Sequence, residues 1–108
     1  MTNRHYILKD RKITPVEDPM EWAVWFEKGE NRIVKQEWIG DTWISTVFLG
    51  IDHNYGDGPP VLWETMAFKK TNTAPDKRRE VDCDRCSGNW EQAEAMHQRM
   101  VSKWEIEV

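Results

Sequence analysis

Apolar positions recur with a period of two in four or five short stretches and with a helical period in two others. Residues 5–8, His-Tyr-Ile-Leu, read as a first strand, and Pro15 follows in a connecting loop. Asp18-Pro19 opens a helix over residues 19–28. Asp18 can accept from a first-turn amide, and Pro19 suits the first helical position. On that helix Met20, Ala23, Val24 and Glu27 form one stripe, with Trp22 and Phe26 beside it, and Gly29 stands where a left-handed cap belongs. Residues 31–39 alternate with mixed faces and end at the Gly40-Asp41 turn signal. Residues 42–51 are rich in β-branched and aromatic types and are the most strand-like stretch. Residues 52–60, with Gly56, Gly58, Pro59 and Pro60, are a loop, and residues 61–68 are the next strand. Gly50, at the end of the preceding strand, marks a bend or a close backbone approach.

Residues 69–79 are polar and aperiodic, and 80–84 add a short strand at most. Asn89, with Gln92 three residues on, has the capping-box spacing and starts the clearest helix. Its Trp90, Ala93, His97, Met100, Val101 and Trp104 fall on one face, with Trp90 and Trp104 expected in the core. Short links between the central strands favour antiparallel pairing. The expectation is a single α+β domain over residues 1–108. Its antiparallel sheet has about four strands in the order β-α-β-β-β-α, and the C-terminal helix packs on one face.

A chain of 108 residues suffices for one core, burying about two-thirds of the unfolded surface. Seven Trp argue against disorder. No apolar run approaches the roughly 18 residues of a membrane helix, and no signal peptide opens the chain, so a cytoplasmic protein is expected. The net charge of −4 is uneven: residues 15–64 carry ten acids against three bases, whereas residues 69–86 are net +2. An acidic chain is not drawn to phosphate backbones, so general nucleic-acid binding is not expected, one local contact from residues 69–79 aside. The acidic centre suits a basic partner surface or simply keeps a Trp-rich surface soluble.

Three features invite chemistry. Cys83-Asp-Arg-Cys86 offers two thiolates, but zinc takes four ligands, and neither His53 nor His97 has ligand spacing to the pair. Redox work would need a thioredoxin-like βαβ context that is missing. The 52–60 loop places Asp52, His53, Asn54 and Tyr55 between strands, as binding contacts or as turn-shaping residues. Glu64 interrupts an apolar run; it points outward with Leu62 and Met66, or pairs with Arg32 or Lys35. His97, on an apolar helix face, reads as a hydrogen-bonded core residue. Trp22 and Trp25 point to different sides of a short helix, so one of them is available for binding. Trp38, Trp43 and Trp63 share one face of the sheet if the register allows.

Several stretches resemble a family of small bacteriophage and prophage proteins. These are Ser45–His53 with Gly58–Phe68, the Tyr6-Ile7-Leu8 start, the Met20, Trp22, Ala23, Trp25, Phe26, Glu27 helix, and the Trp90, Glu91, Ala93, Glu94, Ala95, His97 helix. The departures are the basic 69–79 stretch and the cysteine pair. The resemblance implies an intracellular role during infection or lysogeny and carries no reaction, cofactor or catalytic residue. The leading expectation is therefore a non-enzymatic accessory protein that binds a host protein, one form being an anti-CRISPR-like inhibitor of a defence effector. The binding residues expected are Asp52, His53, Asn54, Tyr55, Glu64, Trp22 and Trp25. The alternatives are a small ligand-binding protein or enzyme using the 52–60 loop, and a zinc-stabilised domain through Cys83 and Cys86.

Overall fold

The alternating stretches do become strands in a computed structural model, which describes residues 4–54, 56–70 and 78–106. The central sheet contains β3 (Ile33–Ile39), β4 (Thr42–Phe48), β5 (Trp63–Lys70) and β6 (Arg78–Cys86), antiparallel in the order β3-β4-β5-β6. The first strand, β1 (Tyr6–Lys9), lies outside this sheet. It pairs with β2 (Lys12–Pro15), placing Pro15 at a strand end rather than in a loop. The hairpin escapes a sequence reading because its turn lacks glycine: Asp10 and Arg11 themselves adopt φ of 52° and 66°. A His5–Ile51 bridge and the Tyr6 amide, which donates to the Gly50 carbonyl at 2.8 Å, tie the hairpin to the end of β4.

Both predicted helix starts are present. Helix α1 (Pro19–Glu27) is capped by Asp18, whose carboxylate accepts from the Met20 amide at 3.0 Å. Helix α2 (Trp90–Ile106) begins with a reciprocal pair: the Gln92 amide donates to the Asn89 side chain, and the Asn89 amide to that of Gln92. Gly29 is not a left-handed cap; α1 ends at extended Lys28 and a 3-10 turn, Gly29–Arg32, leads into β3.

Helix α2 crosses one face of the sheet and touches all four strands. Its Ala93, Met96, Met100 and Val101 bury against Ile44 and Phe48 of β4 and Trp63 and Ala67 of β5. Trp90 and Trp104 are only half-buried at the two ends of the helix, not core residues. The hairpin and Trp25 of α1 extend the core at its Phe48–Trp63 end. Gly50, at φ 76°, sits beneath α1. A Cβ there would lie 3.1 Å from the Phe26 ring and 3.2 Å from Trp22 Nε1, so the expected bend is present and the crowding comes from two side chains rather than from another backbone.

Candidate binding surfaces

The 52–60 loop holds itself together. Asp52 Oδ1 accepts from the amides of Asn54 (2.7 Å) and Val61 (2.9 Å), which fastens one end of the loop to the other. Asn54 accepts from the Gly56 amide and donates to the Asp57 and Pro59 carbonyls. His53 Nδ1 donates to the Ile51 carbonyl at 2.8 Å, which fixes its tautomer. Tyr55 lies outside the described residues. Glu64 lies on β5, where its carboxylate accepts from Arg85 Nε at 2.7 Å. It faces outward with Met66, as expected, but Leu62 is buried and the ion-pair partner is neither Arg32 nor Lys35. The acidic and imidazole groups of this region therefore each have a separate partner and are not brought to one point.

Trp22 and Trp25 are both half-buried. Trp22 stacks on Phe26 (4.5 Å between centroids) and donates from Nε1 to the Gly50 carbonyl at 3.0 Å; Trp25 meets Phe48 edge-on. With these rings turned inward, the other stripe of α1 faces solvent. Met20 is 69 % and Val24 56 % exposed, Ala23 lies between them, and no residue of the helix is fully buried. The exposed acids Glu17, Asp18, Glu21, Glu27 and Glu30 lie on or next to this helix.

Cys83 and Cys86 do not share a turn. Both lie on β6, where a separation of three puts them on opposite faces. Cys83 stands across from outward Met66, and Cys86 across from buried Trp63. A two-thiolate half-site for zinc is thus not assembled by this strand. Burial, and for Cys83 the nearby Glu64 carboxylate, pushes both thiols up, away from the reactive thiolate.

His97 lies in the core, as its apolar helix face predicts, and a polar line that no local pattern predicts runs through it. Glu37 Oε2 accepts from His97 Nε2 at 2.7 Å, His97 Nδ1 lies 2.6 Å from Thr46 Oγ1, and Thr46 Oγ1 lies 2.6 Å from Thr65 Oγ1. With His97 Nε2 donating to the carboxylate, the two threonine hydroxyls continue the chain from Nδ1 in either direction, so every group is satisfied. The bond to His97 and the ammonium of Lys35, 3.3 Å away, hold the Glu37 carboxyl below the ordinary range. The order hydroxyl–imidazole–carboxylate is that of a nucleophilic triad. Thr46 and Thr65 are fully buried under α2, however, so no substrate reaches either hydroxyl and the line acts as a core clamp. Its signal in the sequence was threonine at positions 46 and 65 of otherwise apolar strands, opposite a histidine on an apolar helix face.

The sheet face turned away from α2 is covered by neither helix. Register places Trp38 across from Trp43, Trp43 across from Phe68, and Ser45 across from Met66 on this face, while Trp63 points into the core. Trp38 is 41 % exposed. Lys70 Nζ lies 4.9 Å from the Trp38 centroid, and the Arg78 guanidinium 5.3 Å and 5.1 Å from Trp38 and Trp43. No helix among the described residues is long and apolar enough to cross a membrane. No protein-family model matches the chain, and no curated protein or solved structure matches it significantly.

Proposed function

We propose that this chain is a non-catalytic binding protein that docks the outward stripe of α1 on a basic protein surface. One observation carries the reading: α1 leaves Met20 and Val24 largely in solvent on a helix that buries none of its nine residues completely. Single exposed apolar side chains are ordinary, but a helical stripe of them bordered by charge has the make-up of an interface. The bordering acids select a basic partner, speed the encounter and disfavour acidic competitors.

The resemblance to phage proteins supports a bacterial host protein as that partner, inside the infected cell. An inhibitor of a defence effector, anti-CRISPR-like, is the specific form: an acidic surface can occupy a basic channel built for nucleic acid. The 52–60 loop has less support as the contact, because Asp52 and Asn54 engage their own backbone.

The test is co-purification from host lysate with the wild-type chain and with Met20→Glu/Val24→Glu. A stoichiometric basic partner, retained by the wild type and lost from the variant, is expected. Equal retention by both, or no stoichiometric partner, overturns the proposal.

A further inference from the structure

At the end of the β5–β6 ladder where the chain passes from one strand to the other, Lys69 pairs with Arg79 and Lys70 with Arg78, two successive pairs of like charge directly across from one another. Opposed like charges destabilise a ladder. None of the four cations makes an ion pair with a described residue. Because side chains alternate, Lys70 and Arg78 rise beside Trp38 and Trp43 on the face turned away from α2, and Lys69 lies on the other side over Trp104 at 5.1 Å. The same end of the sheet thus combines indole rings with four cations that have no ion pair among the described residues, on a chain of net negative charge.

We propose that this end of the sheet face turned away from α2, built from Trp38, Trp43, Phe68, Lys70 and Arg78, binds single-stranded nucleic acid. A phosphate backbone neutralises the opposed cations, and bases stack on the rings that the cations now cover. The Trp38 and Trp43 rings stand side by side on neighbouring strands, 5.2 Å between centroids, which suits successive bases of an extended chain. A lipid surface would instead require apolar side chains that protrude, and here the largest exposure is that of one indole. The site is distinct from α1, which packs at the opposite, Phe48 end of the sheet.

The experiment is titration of the full chain with a fluorescein-labelled oligothymidylate of roughly eight nucleotides. Anisotropy and tryptophan fluorescence are followed across a salt series. Saturable binding with tryptophan quenching is expected, and affinity should fall with salt by about 0.7 log units per neutralised phosphate per log unit of salt. Lys70→Ala/Arg78→Ala should reduce that slope by about 1.4. Trp38→Ala should weaken binding about tenfold and leave the slope unchanged. Met20→Glu, on α1, should change neither, so loss of this site and loss of the α1 interface are read separately. Absence of binding at low salt overturns the proposal. So does binding unaffected by Trp38→Ala, equal binding of a blunt duplex, or tighter binding to phosphatidylglycerol vesicles than to the oligonucleotide.

Discussion

Gly50 and His97 show how much of the stability rests on single positions. At Gly50 a side chain meets two penalties together, a left-handed backbone and two aromatic side chains within 3.2 Å of a new Cβ. Gly50→Ala should therefore cost about 1–3 kcal/mol in urea unfolding. Truncating His97 opens a cavity and strips partners from Thr46 and Glu37. His97→Ala should cost about 3 kcal/mol or more. The Glu37 carboxyl titrates lower in the folded chain than its ordinary value of 4.5. Its contribution is thus complete above that value and is lost as pH falls through the folded pKa. Asp82, held low by Lys103 on α2, acts with the same sign. Melting temperatures between pH 7 and pH 3 should fall less steeply for Glu37→Gln than for the wild type.

At the scale of elements, the β1–β2 hairpin and α1 depart furthest from ordinary design. Asp10 and Arg11 both take the left-handed conformation without being glycine. Asp10→Gly should raise stability by about 0.5–1 kcal/mol. Arg11→Gly should gain less, because the Arg11 guanidinium lies 4.8 Å from the Trp90 ring centroid and that contact is lost. On α1, Met20→Glu/Val24→Glu should leave the melting temperature nearly unchanged, since neither side chain is buried. Strand β6 carries a simpler test. Exposed Cys83 should react with a thiol reagent in the native state well before Cys86, whose side chain packs against the core.

On the scale of the whole molecule, the chain extends 46 × 27 × 26 Å. Helix α1 with its acids sits at one end of the sheet and the opposed cations at the other. A net charge of −4 conceals this separation, so the exclusion of nucleic acid by net charge does not extend to the β5–β6 end. Because Cys83 and Cys86 face apart, a chelator should leave the thermal transition of the purified protein unmoved.

Period, capping and turn chemistry are local, and the sequence alone determined what depends on them. The α+β class, the Asp18 and Asn89 caps, the apolar face of α2 and the bend at Gly50 could all be read from neighbouring residues. Trp63 could not be assigned to a face in the same way, since a one-residue slip across the long 52–60 connection reverses every side chain. Only the tertiary structure paired β1 with β2, turned the tryptophans of α1 inward and its Met20 stripe outward, and joined Glu37 to His97 across 60 residues. It alone set the four cations opposite one another, because the β5–β6 register shifts between Ala67 and Phe68, an irregularity that no local pattern announces.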